Sequence, residues 1–250
     1  MFWKKFLIIS ILIILLINIS SCKKQEDSFL GLSKVEITTN LFYELPRLEL
    51  YIFSSKNYHN LSIDNKYIDY VNYQKQDINL VINELQVEGI LHYFNITFIK
   101  EEFVLTKIKI KNQKDIYDVN IGLYQTILLE PSSLDINTSC SLYNNKGIIN
   151  YQNNLYNPIY FKEVNNLTYS KNQSINLLNI NQQVIYSKQL KSLDIFTYQI
   201  KEKYHQIGGI IKSSFYTNLE EYYTYSTYYF STINNLLLKD IDTNELEIIY

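Results

Sequence analysis

The chain has 250 residues and a formal net charge of −2 at pH 7, so it lacks the basic excess of a nucleic-acid-binding protein. It contains no Ala, one Arg, 6 Gly and 3 Pro against 24 Tyr, a bias that AT-rich codons explain. A chain without Ala but rich in Ile, Tyr, Phe and Thr favours strands over helices.

The first twenty-two residues have the pattern of a secretory signal. Lys4 and Lys5 form a basic head, and residues 6–17 are apolar with a single exception. This apolar run is shorter than the ~20 residues that span a bilayer. Small residues and Cys22 follow, and a charged segment, 23–27, comes directly after them.

The run Ile19-Ser20-Ser21-Cys22 resembles the lipobox of bacterial lipoproteins, with Ile19 in place of the commoner Leu and Ser21 in place of Gly or Ala. The resemblance implies cleavage before Cys22 and a diacylglycerol on its thiol. Residues 1–21 are then a signal peptide and residues 22–33 an acylated tether on a membrane surface. It also implies a lipid-anchored place in the cell envelope, with the outer membrane favoured. A plain secretory signal and an uncleaved anchor are the alternatives.

Period-two alternation of apolar residues begins after the tether and predicts strands. It runs through residues 35–41, 48–52 and 90–98. The segments 103–111 and 116–124, joined by a polar turn, form the clearest predicted hairpin. This hairpin resembles strand pairs of immunoglobulin-like bacterial surface domains.

Glu130-Pro131-Ser132-Ser133 is the clearest break in the pattern, because Pro disfavours a continuing regular element. We therefore predict a β-sandwich domain over residues 34–131 and a second β-rich domain over 132–250. The predicted fold class is all-β, with one or two antiparallel immunoglobulin-like sandwiches.

The second part is less regular. Turn-forming composition predicts a turn at Gly147, loops at Asn165-Asn166 and 170–174, and a turn or bulge at Gly208-Gly209. The apolar end, 246–250, is a candidate to close the sheet. Strands are predicted over 158–162, 175–180, 183–188, 193–201 and 209–217.

No catalytic or metal-binding pattern is present in the sequence. His59, His92 and His205 lie far apart and outside any zinc spacing, so neither metal nor cofactor is expected. His92 falls in an apolar alternation and is interpreted as a half-buried, hydrogen-bonded core residue. The run 240–244 resembles the start of a calcium loop but has Glu245 where the loop requires Gly.

Cys140 has no disulfide partner if Cys22 is acylated, so the fold must depend on its apolar core. Cys140 lies on one face of an alternation from Leu134 to Leu142. That position favours a small buried apolar residue over a nucleophile.

The tyrosine-rich run over 220–233 is the one candidate binding site. Its density of Tyr and Thr favours a strand over a helix, with Thr227 and three tyrosines on one face. Exposed tyrosines stack on sugars or anchor a partner protein, and buried ones pack a core. The candidate partner-binding residues are Tyr222, Tyr223, Tyr225, Tyr228 and Tyr229.

These features favour a non-enzymatic binding module at the bacterial surface or envelope, with a protein or glycan partner. A structural subunit of an envelope assembly is the second hypothesis. An enzyme whose site forms only in three dimensions is the third.

Overall fold

The computed structural model describes residues 30–56, 58–82, 85–113, 115–143, 146–155, 159–168, 171–174, 194–197, 206–231, 241–242 and 246–249. Within these ranges all regular structure is β-strand, so the predicted all-β class is confirmed. The strands are β1 (Leu30–Leu32), β2 (Val35–Asn40), β3 (Arg47–Ser55), β4 (Leu61–Asp64), β5 (Ile68–Ile82), β6 (Leu85–Phe98), β7 (Phe103–Asn112), β8 (Ile116–Ile127), β9 (Ile136–Tyr143), β10 (Lys146–Asn153), β11 (Tyr160–Thr168), β12 (Lys171–Ser174), β13 (Asp194–Thr197), β14 (Gln206–Tyr216), β15 (Glu221–Ser231), β16 (Ile241–Asp242) and β17 (Glu247–Ile248).

The described strands form three sheets. The first has the order β16-β5-β6-β3-β1-β17, and the second has the order β13-β10-β9. The third runs β12-β11-β14-β2-β8-β7-β4, with β15 paired to β14. Most pairs are antiparallel, but β2 runs parallel to both β8 and β14, and β16 runs parallel to β5. The first and third sheets are therefore mixed, and the second is antiparallel. In the third sheet, the strands beside β2 are reached by long connections rather than by hairpins.

The main core lies between the first and third sheets, as in a β-sandwich. The alternation predicted around 48–52 and 90–98 places one side of β3 and β6 in this core. The last strand, β17, pairs with β1 at the edge of the first sheet, as predicted for the chain end. The largest fully buried side chains of this core are Leu30, Leu32, Leu48, Leu50, Ile52, Phe94, Ile96 and Tyr124.

A second core lies between β9 and β10 on one side and β11, β14 and β15 on the other. All its described members follow residue 131 in the chain. The third sheet nevertheless contains strands from both sides of residue 131. Gln206 and Gly208 of β14 pair with Val35 and Ile37 of β2. Whether the chain divides into units 34–131 and 132–250 stays a prediction.

The predicted hairpin of β7 and β8 is confirmed, and its turn is closed by reciprocal backbone hydrogen bonds between Asn112 and Asp115. The pairing of β7 with β8 contains a bulge between Leu105 and Lys107, and the facing segment of β8 includes Gly122. The break at Glu130–Ser133 also falls between two strands, β8 and β9.

Three turn or loop predictions in the second part are wrong. Gly147 lies inside β10, because the strand's core residues Ile149 and Tyr151 set its register against β9. Asn165-Asn166 lies in β11, where the buried Asn166 amide donates to the Tyr228 hydroxyl at 3.1 Å. Residues 171–174 form β12 rather than a loop. Composition alone does not reveal such pairing.

Gly208-Gly209 is neither turn nor bulge and lies within β14 in regular pairing with β15. A Cβ on Gly209 would come within 2.4 Å of Thr168 Cγ2 and 2.5 Å of the Tyr228 hydroxyl. Glycine is required here because neighbouring side chains approach the backbone closely.

Several predictions fall outside the described residues. These are the signal peptide 1–21, residues 22–29 of the predicted tether 22–33, and the predicted strands 175–180 and 183–188. The end of the predicted tether is wrong, because Leu30–Leu32 form the buried strand β1. Only Asp194–Thr197 of the predicted strand 193–201 is described, and it is a strand. No helix among the described residues is long and apolar enough to cross a membrane.

Candidate functional site

The tyrosine run is a strand, β15, as predicted, and its alternation separates the tyrosines onto two faces. Tyr222 and Tyr228 pack against the second core. Tyr223, Tyr225 and Tyr229 lie on the opposite face with Thr227. The run is therefore a core element on one side and a surface element on the other.

Tyr229 is the most accessible of the predicted partner-binding residues, with 46% of its surface exposed. Tyr225 is buried, whereas Tyr223 is half-buried beneath the Lys212 ammonium, which lies 4.6 Å from its ring centroid. The Tyr229 hydroxyl donates to Gln206 Oε1 at 2.7 Å. Its ring lies beside Gly208, its partner residue in the neighbouring strand β14. A Cβ added to Gly208 would be 3.5 Å from Tyr229 Cδ2.

A cleft of about 780 Å³ opens beside Tyr229, and we call it the Arg47 cleft. One wall is the outer face of the first sheet, and the other is the β14–β15 hairpin. Loop 41–46 and the edge of β2 complete it. Its lining residues are Ile37, Thr38, Thr39, Glu44, Leu45, Arg47, Glu49, Asn95, Cys140, Gly208, Thr227, Tyr228 and Tyr229.

The alternation of side chains along β3 determines which residues form the polar wall of the cleft. Leu48 and Leu50 point into the main core, so Arg47 and Glu49 point to the other side of β3. Asn95 lies directly opposite Glu49 on β6. One cation, one carboxylate and one amide are thereby held side by side on a rigid sheet.

Glu49 is held by two tyrosine hydroxyls. Tyr51 donates to Glu49 Oε2 at 2.9 Å, and Tyr93 donates to Oε1 at 3.0 Å. Burial and the neighbouring carboxylate raise the pKa of Tyr93 to about 12 and raise the pKa of Tyr51 as well. Both hydroxyls therefore stay protonated donors at neutral pH, and they fix the carboxylate at the cleft wall.

Two contacts join the walls of the cleft. Gln206 Nε2 donates to the backbone oxygen of Glu49 at 2.7 Å. Across the mouth, the Thr227 hydroxyl donates to Glu44 Oε1. The hairpin that carries Tyr229 is thus fixed against the sheet that carries Arg47.

Arg47, the single Arg of the chain, lies exposed at the cleft. Among the described residues no side chain accepts a hydrogen bond or forms an ion pair with its guanidinium. Arginine has five N–H donors and no acceptor. These donors are available to a ligand.

Cys140 borders the cleft and packs partly against the second core. Burial raises the pKa of its thiol to about 12, although a hydrogen bond with Ser226 opposes the shift. Since the thiolate is the nucleophilic form, Cys140 is a packing residue, as its alternation predicted.

The histidines form no site among the described residues. His92 is fully buried rather than half-buried, and His59 is exposed. No cluster of potential metal ligands occurs in the described part of the chain. His205 and most of the calcium-like run 240–244 lie outside it, as does Cys22.

Sequence reasoning named Tyr228 and Tyr229, which line the cleft, but did not name the residues that face them. Arg47, Glu49 and Asn95 belong to strands far from β15 in the chain. The one available signal was the single Arg directly after Pro46, in a chain whose other basic side chains are Lys or His.

The cleft lies far from the point where the tether enters the fold. Leu30 of β1 pairs with Ser54 near the end of β3, whereas Arg47 begins that strand. The seven steps along β3 from Arg47 to Ser54 span about 23 Å at ~3.3 Å per residue.

No protein-family model matches the chain, and no curated protein does. The chain is similar in structure to the cadherin-like domains 1 to 4 of zebrafish RET, with 8% identity and a TM-score of 0.29. That match covers 82% of this chain and 52% of the RET chain, so this chain spans about half of that protein's length.

Two bacterial proteins are also similar in structure. The collagen adhesin (CNA) of S. aureus has 7% identity, covers 82% of this chain and 93% of its own, and has a TM-score of 0.26. The Pseudomonas aeruginosa CupB2 chaperone has 10% identity, coverage of 80% and 99%, and a TM-score of 0.20. At such low TM-scores no conclusion about function follows from the likeness.

Proposed function

We propose that this chain is a lipid-anchored, non-enzymatic binding module of a bacterial cell envelope, with the outer membrane favoured. Its ligand occupies the Arg47 cleft. The lipobox-like sequence supports the anchor on Cys22. The Arg47 guanidinium, which has no side-chain partner among the described residues, and the exposed Tyr229 ring support the binding site.

The position of the cleft is the observation that carries this proposal. The tether enters at Leu30, and the cleft lies at the opposite end of β3. A module anchored through residues 22–29 would therefore present the cleft away from its membrane. This orientation suits capture of a ligand outside the bilayer.

Lipidation is tested by labelling cells with a palmitate analogue. We expect label on the wild-type chain and none on Cys22→Ser, because acylation requires that thiol. Cys140→Ser is the matched control and should label like the wild type. Equal labelling of Cys22→Ser and wild type would contradict the anchor.

The cleft is tested with the chain secreted as Cys22→Ser, immobilised and exposed to detergent-solubilised native envelope. Arg47→Gln removes the free donors, and Lys109→Gln is the control, since Lys109 is an exposed strand residue outside the cleft. We expect retained envelope material to fall with Arg47→Gln alone. Equal retention by both variants would place the binding site elsewhere.

A structural subunit of an envelope assembly is a second candidate, favoured by apolar side chains exposed around loop 41–46. Asn40 joins this loop to residue 129 through hydrogen bonds with the Phe42 and Leu129 amides and the Leu129 carbonyl. The exposed apolar residues here are Phe42, Tyr43, Leu45 and Leu128. Such patches mark protein contacts.

The two candidates differ in which variant disrupts them. For a structural subunit, Leu128→Ser should abolish a stable complex purified from native envelope, whereas Ile116→Ser, at an exposed residue of β8, should not. Leu128 does not line the cleft, so loss of the complex with Leu128→Ser alone, with Arg47→Gln harmless, would favour assembly over ligand binding.

A further inference from the structure

We propose that the ligand of the Arg47 cleft is a neutral saccharide, stacked on Tyr229 and hydrogen-bonded by Arg47 and Glu44. This inference rests on the proposed function, since it names the ligand class of the same cleft. Three observations carry it: the fixed tyrosine ring, the mixture of donors and acceptors, and the balance of charge.

Tyr229 has the features of a stacking platform. One side of its ring lies against Gly208, and nearly half of the residue remains exposed. The hydrogen bond to Gln206 holds the hydroxyl, and Gln206 is itself bonded to the backbone of Glu49. A ring fixed in this way loses little conformational entropy when a ligand binds. The C–H face of a pyranose is apolar and packs on such a ring.

The polar groups of the cleft match hydroxyls, each of which both donates and accepts a hydrogen bond. Arg47 supplies donors without an acceptor among the described residues. Glu44 supplies carboxylate lone pairs beyond the one that Thr227 occupies. The half-buried Asn95 amide offers both functions at the same wall.

The charges of the cleft favour an uncharged ligand. Among the described residues that line it, Arg47 is the one cation, whereas Glu44 and Glu49 are both carboxylates. An acidic sugar or a phosphate would be attracted by one guanidinium and repelled by two carboxylates. A neutral saccharide meets no such repulsion. The volume of about 780 Å³ also lies within the range of ligand pockets, roughly 300–1,000 Å³.

The test titrates the Cys22→Ser chain with neutral hexasaccharides (cellohexaose, maltohexaose, laminarihexaose, mannohexaose and chitohexaose) and with acidic hexagalacturonate. Calorimetry measures the affinity of each. We expect at least one neutral hexasaccharide to bind at millimolar concentration or below. Tyr229→Leu should weaken it about tenfold or more, and Tyr229→Phe, which keeps the ring, by much less.

Tyr70→Leu is the matched control, because Tyr70 is 63% exposed and does not line the cleft. It should bind like the wild type, and thermal unfolding should show that all variants are folded. The proposal is overturned if no neutral hexasaccharide binds, if hexagalacturonate binds more tightly than every neutral one, or if Tyr229→Leu and Tyr70→Leu behave alike.

The envelope-capture experiment distinguishes failure of the saccharide proposal from failure of the proposed function. If Arg47→Gln abolishes capture but no hexasaccharide binds, the cleft is a binding site for another class of ligand, and the saccharide proposal alone falls. If neither capture nor saccharide binding depends on Arg47, both proposals fall.

Discussion

At the scale of single residues, the buried polar groups of the first sheet are held by specific partners. His92 is 0% exposed, with Ser54 Oγ 2.8 Å from Nε2 and the Tyr73 hydroxyl 2.8 Å from Nδ1. A neutral imidazole satisfies both contacts as one donor and one acceptor. The two hydroxyls take the place of water as hydrogen-bond partners of the ring. His92 can therefore be buried in the otherwise apolar alternation that was predicted for it.

His92 should make stability fall with acid. Burial, aided by the nearby charges of Lys75 and His59, lowers the pKa of His92 from 6.5 to about 4. Above pH 6.5 the His92 imidazole is neutral in both the folded and the unfolded chain. Between pH 6.5 and about 4 the unfolded chain is protonated there and the folded chain is not, so the free energy of unfolding falls as pH decreases. The full effect is about 3 kcal/mol.

Urea unfolding between pH 7 and pH 4 measures this effect by comparing wild type with His92→Gln. The variant should have the flatter pH dependence across that window, although it is less stable at pH 7. His59→Gln is the control and should nearly keep the wild-type slope, because it removes only the smallest of the causes that shift the pKa of His92. Parallel slopes for all three proteins would show that His92 is not the titrating group.

At the scale of elements, β2 holds the third sheet together. It pairs in parallel with β8 through six residues and with β14 through three. The pairing with β8 brings Val35 against Gly122, which has a φ of 97°. A Cβ on Gly122 would lie 2.2 Å from the Val35 backbone oxygen. Glycine is the residue that fits such a backbone.

Gly122→Ala should therefore destabilise the fold by about 2 kcal/mol or more, since the positive φ alone costs a side chain about 1–2 kcal/mol. Equilibrium unfolding in urea measures the loss. Gly208→Ala is the comparison, because its Cβ would come no closer than 3.2 Å to Ile37 Cγ2 and 3.3 Å to the Tyr228 backbone oxygen. A loss at Gly122 no larger than at Gly208 would contradict the tight approach of β2 to β8.

At the scale of the whole molecule, two cores share one sheet. The main core joins the first and third sheets, and the second core is built from residues after 131. Ser132 is bonded to the backbone of Tyr223, so the connection between the cores runs along β15. Strand pairing therefore joins residues from both sides of the predicted boundary.

A protease site inserted between Glu130 and Pro131 tests this arrangement. Both residues lie outside regular strands, and Glu130 is exposed, so cleavage should be rapid. The two fragments should then elute together by size exclusion and separate only in denaturant, because β2 and β14 remain paired. Separation without denaturant would show two independent domains, and resistance to the protease would show that no break exists at Pro131.

Local pattern was sufficient for the strands with clear alternation. The hairpin of β7 and β8 and the strand β15 were predicted because their apolar and aromatic residues repeat with period two. Prediction failed at Gly147, Asn165-Asn166 and Gly208-Gly209, where turn-forming residues occupy strands. Their register is set by partners far away in the chain, and β-propensity depends on such neighbours.

By itself the sequence determined the all-β class, the lipobox-like start and the alternation that places Tyr229 on one face of its strand with Tyr223 and Tyr225. Only the tertiary structure decided that Arg47, Glu49 and Asn95 face that tyrosine across a cleft. The reason is physical: alternation specifies which side of its own strand a residue occupies. Which other strands lie beside that side is decided by long-range pairing, here by β2 between β8 and β14.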